Sequence, residues 1–396
     1  MEHADRVRRF DGGVGMTASV VVSHSGASIP SRPAVFSVIA PGRVNLIGEH
    51  TDYNEGLVLP MAIEPHIRLD VAARPDQWMV FESDRPEFRV EVGQTLSPHD
   101  FKGSWAAYPC GVVAGLKRLG WDIPGFTARI SATLPAGAGL SSSAALEVGV
   151  ATAVEVLTGK RLPSEQKALL CQRAEHEFAG VPCGIMDQFA VTLGKAGHAL
   201  LLDCQTRASV YVPLASEAVS VLIIHSGVKH SLADGEYAKR RAECQSAARL
   251  LGVASLREIS PSDWRDREPS LPDVERRRSR HVVTEHERTL AFVDALNVRD
   301  WHAAGECMYG SHASLREDYE VSCKELDLIV DVSRHVDGVF GCRMTGGGFG
   351  GCAVALIDAG RAPQIEQLFR SRCRDRTGVD PVTFLTKATG GVALLQ

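Results

Sequence analysis

The sequence predicts two α+β domains. Its 396 residues exceed what one hydrophobic core ordinarily spans. Strand-like and helix-like segments are also mixed in both halves, not in strict alternation. The division is expected near residue 216, beyond which helix dominates. Residues 1–32, rich in Gly, Ser and charge, read as a loosely ordered leader. The first domain is then 33–215 and the second 216–396.

In chain order, "AVFSVIAPGRV" (34–44) is β-branched and apolar, and Pro41-Gly42 should break it into a loop. "IRLDVAARP" (67–75) and "WMVFESD" (78–84) alternate apolar and polar residues, as half-buried hairpin strands do. "WAAYPCGVVAGLKRLG" (105–120) spaces Val112, Val113, Leu116 and Leu119 for a helix and stops at glycine. "GFTARISATLP" (125–135) predicts a strand, followed by a Gly/Ser loop and a helix from about Ser142. A second amphipathic helix covers 164–180. Apolar runs at 198–204 and 219–227 predict buried strands. Helices follow over 236–252, 281–297 and 321–335. The tail reads strand (338–344), glycine loop, strand (351–358), helix (363–373) and strand (382–386). The run Arg276-Arg277-Arg278 reads as a solvated loop or helix end.

Composition narrows the function. Lys and Arg number 43 against 48 Asp and Glu, a net charge of −5. A mildly acidic chain is a poor general partner for nucleic acid or anionic membrane, so an anionic ligand must be met by local donors. The ten cysteines form no Cys-x-x-Cys pair, which leaves a structural zinc site unsupported and points to reduced, buried thiols in the cytoplasm. No apolar run reaches the ~18 residues of a membrane span, and no signal-peptide core is visible. A monomer is the expected state.

Four segments carry chemistry. "LPAGAGLSSSAAL" (134–146) links a strand to a helix through Gly137, Ala138, Gly139, Leu140, Ser141, Ser142 and Ser143. Such a loop presents backbone N–H groups and a helix N-terminus to phosphate without a lysine. Alternatively, it is a flexible turn with Ser142 as N-cap. "APGRVNLIGEHTDYNEGLVLP" (40–60) sets polar side chains among Val44, Leu46 and Ile47, as suits a ligand with many hydroxyls. "AEHEFAGVPCGIMDQF" (174–189) places Asp187 in an apolar stretch, where a carboxylate is costly without a partner. "RMTGGGFGGC" (343–352) has five glycines in six positions, either a linker or a backbone nest against a ligand.

Together, in this order, the four segments resemble the galactokinase branch of the GHMP small-molecule kinases, from about residue 34 to the C-terminus. The string Gly-Glu-His-Thr-Asp-Tyr (48–53) is the most specific of the matches. The resemblance implies a two-domain GHMP kinase fold. Its N-terminal domain is like the second domain of ribosomal protein S5, its C-terminal GHMP domain is α+β, and the active site lies in the cleft between them. It implies transfer of phosphate from ATP, with Mg²⁺, to the C1 hydroxyl of galactose. Arg43, Glu49, His50, Asp52, Gly184, Asp187 and Tyr237 would bind the sugar. Asp187 would act on the hydroxyl proton, with Arg43 contacting both Asp187 and the moving phosphate. Residues 137–143 and Lys229 would hold the nucleotide. Mg²⁺ would sit on Ser142 or Ser143 with Glu175. Trp105 and Tyr108 either flank adenine or belong to the core. Ala107 stands where the family often has Asn, and His225 and Gly227 replace a segment that often includes Asn. Alternatives are a sister kinase for N-acetylgalactosamine, arabinose or galacturonate, and a catalytically silent sugar-and-ATP sensor.

Overall fold

The computed structural model describes residues 36–83, 88–135, 137–214, 217–228, 233–377 and 381–395. The expected leader and Lys229 lie outside them. The first strand, β1 (Phe36–Asn45), runs straight through Pro41-Gly42. The expected break is instead a register shift. Pro41 pairs with His66, but Gly42 pairs with Ile63. Proline lacks an N–H, and a bulge is where a strand tolerates it. The strand therefore continues and delivers Arg43 into the interior, 5% exposed.

β2 (Leu57–Val58), β3 (Pro60–Ala73), β4 (Met79–Ser83) and β5 (Arg89–Val92) follow, then α1 (Ala107–Arg118) and β6 (Phe126–Ala132). β3 and β4 are not a hairpin. β6 lies between them, antiparallel to β3 and parallel to β4. Each half-buried strand finds its neighbour across the sheet, which alternation alone does not specify. Next come α2 (Ser142–Thr158), α3 (Ser164–Ala174), α4 (Met186–Leu193), β7 (His198–Asp203) and β8 (Ser209–Pro213). The helix expected over 164–180 changes to π geometry at Glu175–Ala179 and closes on Gly180 in the left-handed conformation.

The remainder comprises β9 (Val219–His225), α5 (Ala233–Leu250), α6 (Pro261–Arg267), α7 (Asp273–Val298), α8 (Trp301–Glu317) and α9 (Lys324–Ser333). Then follow β10 (Val339–Thr345), β11 (Cys352–Asp358), α10 (Ala362–Thr377), β12 (Val382–Thr386) and β13 (Ala393–Leu395). A six-stranded sheet has the order β13-β1-β3-β6-β4-β5, a four-stranded sheet the order β10-β11-β9-β12, and a small sheet the order β2-β7-β8. The last strand thus returns to the first sheet, across the expected division at 216.

The four-stranded sheet is buried on both faces, which explains the unbroken apolar runs of β9 and β11. Val221 and Ile223, with Val354 and Leu356, join a core that also includes the first sheet, α1 and α2. Leu222 and Ile224, with Ala353 and Ala355, face the second core with α5, α9 and α10. One apolar cluster therefore spans both halves. The three arginines lie in the first turns of α7, and Arg278 is no surface charge. At 3% exposure it donates to Glu243 at 2.7 Å, Glu320 at 2.8 Å and the Asp318 carbonyl at 2.6 Å. No helix among the described residues is long and apolar enough to cross a membrane, and no disulfide joins the cysteines.

Candidate active site

Arg43 organises the centre of the molecule. Its Nε and Nη2 donate to the two oxygens of Asp187 at 2.7 and 2.8 Å, and its Nη1 donates to the Gly139 carbonyl at 2.7 Å. Its backbone N–H donates to the Leu140 carbonyl at 3.2 Å. One strand end thus fixes both the Gly/Ser loop and the aspartate. Burial pulls the Arg43 guanidinium down, but Asp187, Glu49 and Asp52 more than reverse this and raise it above its ordinary value.

In the loop, Ala138 and Leu140 are buried, while Gly137, Gly139 and Ser141 take positive φ of 71°, 72° and 61°. Inward apolar anchors alternate with left-handed turns that only glycine adopts at little cost. Ser141, not Ser142, is the N-cap residue, and its side chain does not cap the helix. Its hydroxyl donates to Asp187 instead. The first turn of α2 therefore has no side-chain cap and offers its N–H groups to an anion. Ser142 is exposed and Ser143 half-buried.

Glu49, His50 and Asp52 follow β1 on a loop that brings them beside Arg43. Glu49 is buried against Arg343, whose Nη2 donates to its Oε2 at 2.9 Å. Burial raises the Glu49 carboxyl, and Arg343 and Arg43 pull it back only in part. His50 occupies the left-handed region at φ 61°, and its Nδ1 is 2.9 Å from the Tyr53 hydroxyl. Burial, then His281 and Arg240, lower it to about 3, so the ring is neutral. Asp52 is pushed up to about 7 by burial and by Asp187. Gly184 lies directly on it, since a Cβ there would stand 1.6 Å from Asp52 Oδ2. Tyr237, from α5, takes a bond from the Gly184 N–H at 3.4 Å and packs its ring 4.9 Å from Tyr53 and 5.8 Å from His50. Five of the predicted sugar contacts, Glu49, His50, Asp52, Gly184 and Tyr237, thus gather beside the Arg43–Asp187 pair.

Two further acids lie near Asp187. Gln188 donates from one amide nitrogen to Glu175 at 2.7 Å and to Glu147 at 3.1 Å. Glu175 is pushed up to about 7 by burial and by Asp187, with Cys183, Ser143 and Gln188 opposing. Burial and Glu175 raise Glu147 as well. Glu147 Oε1 and Gln188 Oε1 are buried without partners. Excess carboxylate and orphaned oxygens beside Ser143 and Glu175 fit the donor chemistry of a hard cation. Among the described residues no group of three or more His, Cys, Asp or Glu forms a ready cage.

Trp105, just before α1, and Tyr108, in its first turn, are half-buried against the core, with Trp105 edge-on to Phe88 at 6.1 Å. Part of the glycine-rich segment 343–352 packs against protein. A Cβ on Gly346 would lie 3.1 Å from the Gly139 carbonyl, and one on Gly348 would lie 2.2 Å from that of Val321. Sequence reasoning missed Glu147, Gln188, Arg343 and Glu285. The first two sit inside apolar-looking helices. The Gln next to the aspartate was the one available signal.

An uncapped helix N-terminus beside an arginine-held aspartate and a cluster of buried acids and tyrosines is an arrangement suited to a small-molecule kinase. The comparisons agree. Residues 107–195 match the GHMP kinases N terminal domain, 292–375 the GHMP kinases C terminal domain, and 27–73 the galactokinase galactose-binding signature. The chain is 43% identical to a Homo sapiens galactokinase over 91% of its own length and 92% of the relative's. It is 46% identical to a Streptomyces coelicolor galactokinase over 81% and 84%. A crystal structure of Lactococcus lactis galactokinase complexed with galactose superposes with a TM-score of 0.85 at 31% identity, covering 90% of this chain and 94% of the other. A mevalonate kinase at 19% identity and TM-score 0.64 shares the fold. The chain belongs to the galactokinase family of GHMP kinases.

The raised Asp52 carboxyl has a consequence for stability. An acid whose folded pKa, about 7, exceeds its ordinary 3.8 holds a proton in the folded state that the unfolded chain has released. Stability therefore falls as pH rises through that window, by at most about 4 kcal/mol for this group. Asp52→Asn should unfold at a higher temperature than the parent, with a gap that widens from pH 5 to pH 8. Calorimetry at the two pH values checks this; a constant gap would contradict it.

Proposed function

We propose that the chain transfers the γ-phosphoryl group of ATP to the anomeric C1 hydroxyl of D-galactose, giving α-D-galactose 1-phosphate and ADP, in the cytoplasm. The observation that carries this reading is the Arg43–Asp187 pair, set between the phosphate-binding loop and the pocket of Glu49, His50, Asp52, Gly184 and Tyr237. Lys229 belongs to the nucleotide side of this reading, as do Trp105 and Tyr108.

Asp187 offers roughly four lone-pair sites. Two Arg43 nitrogens and the Ser141 hydroxyl take three of them. The remaining site on Oδ1 is the acceptor for the sugar hydroxyl. Arg43 and Ser141 hold the carboxylate in place. The hydroxyl proton passes to it late, as the O–P bond forms and the sugar oxygen becomes more acidic. Arg43 neutralises charge on the transferring group, and the α2 N-terminus and loop N–H groups hold the phosphates. Mg²⁺, held by Ser142 or Ser143 with Glu175, would neutralise phosphate charge. The lysine of other phosphate loops is thus replaced by an arginine from β1.

Asp187→Asn should fold and bind galactose yet lose about 10²–10⁴ in kcat. ADP release with MgATP and galactose, 2-deoxygalactose, N-acetylgalactosamine, arabinose, galacturonate or glucose tests the reaction. The reading expects turnover with galactose and not glucose. Turnover with another of these sugars alone would move the substrate, and sugar binding without turnover would favour a sensor.

Gly184→Ala offers a second test. A Cβ there displaces the Asp52 carboxylate, a movable side-chain end, so the fold should survive. The KM for galactose should rise about tenfold or more, the loss of one charged hydrogen bond, with the KM for ATP nearly unchanged. Equal changes in both constants would contradict the placement of Asp52 in the sugar pocket.

A further inference from the structure

The loop after β1 that carries Glu49 is held by two bonds to the C-terminal half and by bonds of its own, none involving Arg343. The Gly48 N–H donates to Glu285 Oε1 at 3.0 Å. The Glu49 carbonyl accepts from His281 Nε2 at 3.0 Å. Thr51 Oγ1 bonds the Gly48 and Leu57 carbonyls at 2.8 and 2.7 Å. The loop backbone is therefore fixed before any side chain of Glu49 is considered.

Arg343, on β10, is fully buried. Its Nε donates to Ser311 Oγ at 3.1 Å, its Nη1 to the Asn45 carbonyl at 2.9 Å and its Nη2 to Glu49 Oε2 at 2.9 Å. The other buried acid nearby, Glu285, is already satisfied by Ser311 at 2.6 Å, by Gly48 and by Arg288 at 2.8 Å. Among the described residues Glu49 is the one carboxylate that Arg343 pairs with. A planar guanidinium held at three corners cannot rotate, so its one bond to Glu49 fixes the position of Oε2. Oε2 also takes Asn45 Nδ2 at 3.3 Å. Oε1 is left for a ligand.

We propose that Arg343 is a positioning residue for sugar recognition: it sets the orientation of the Glu49 carboxylate, and so the affinity and selectivity for the one sugar hydroxyl that Glu49 accepts. This rests on the assignment of Glu49 to the sugar pocket. It gives the glycine-rich segment 343–352 a role in sugar binding, because Arg343 opens that segment. Thr345, two residues on, is 3.1 Å from both the backbone N–H and the carbonyl of Asn45.

The test is calorimetric binding of galactose and its 2-, 3-, 4- and 6-deoxy analogues to the nucleotide-free full chain. The proteins are the parent, Glu49→Gln, Arg343→Lys and the double variant. Lysine keeps the charge but loses the fork. Glu49→Gln identifies the hydroxyl, as the one whose removal costs the parent affinity but costs the variant little. Arg343→Lys should weaken galactose binding about tenfold and flatten the preference for that same hydroxyl. It should weaken the Glu49→Gln protein by less than about twofold, and move the ATP KM by less than about threefold. Retained preference in Arg343→Lys, or fully additive losses, would overturn the proposal. If Glu49→Gln loses no hydroxyl preference, the Glu49 assignment fails first, and the proposal with it. Should Arg343→Lys not fold, Ser311→Ala removes one corner of the fork and leaves the ion pair. A rise of about threefold in the galactose Kd would then support the proposal, and no change would overturn it.

Discussion

The candidate site is organised by one half-buried ion pair, its arginine buried and its aspartate partly exposed. Arg43 and Asp187 are 144 residues apart, and each would be costly in the interior alone. Their bidentate geometry, with Ser141 on one carboxylate oxygen and Gly139 on the third guanidinium corner, satisfies both. It also ties β1, the phosphate loop and the start of α4 into one unit. The β1–β3 register shift at Pro41 and Gly42 lies just before Arg43 and belongs to the same arrangement.

Around that pair the site is richer in acids than in bases. Asp52, Glu175, Glu147 and Glu49 all lie above their ordinary carboxyl range through burial. The described protein supplies Arg43 and Arg343 against them. In the proposed reading such a site is completed by what it binds. Sugar hydroxyls would donate to the acceptors near Asp52 and Glu49, and a cation brought with the nucleotide would answer Glu175. His50, kept neutral, and the tyrosine rings would wall the sugar without adding charge. The acids are thus destabilising before ligand arrives and useful after it, a recurrent trade at functional sites.

Much of this was legible in the sequence, because the chemistry sits in contiguous strings. The loop 137–143, the run from Arg43 to Asp52 and the Gly184–Asp187 segment each carry their polar residues in order, and the helix at Ser142 begins where expected. What was not legible depends on distant partners. β3 and β4 look like a hairpin until β6 comes between them. Pro41 looks like a break until a bulge admits it. Arg278 looks solvated because its acids, Glu243 and Glu320, lie far off in sequence. Arg343 and Glu285 gave no signal for the same reason: their roles exist only once β10 and α7 meet the loop after β1. The β13 strand, three residues long, carries too little pattern to be assigned to a sheet it joins from the far end of the chain.

The most direct test of the account is the rate of the chemical step in Arg43→Lys, measured by rapid quench at saturating MgATP and galactose. Lysine keeps a positive charge but cannot hold Asp187 at two points and Gly139 at a third. If the three-cornered arginine aligns the aspartate and neutralises the moving phosphoryl group, galactose 1-phosphate formation should slow by about a hundredfold or more, the scale of losing one preorganised electrostatic contact. A chemical step within about threefold of the parent, well short of that scale, would contradict it. Phosphoryl transfer would then not depend on the pair around which the site is built.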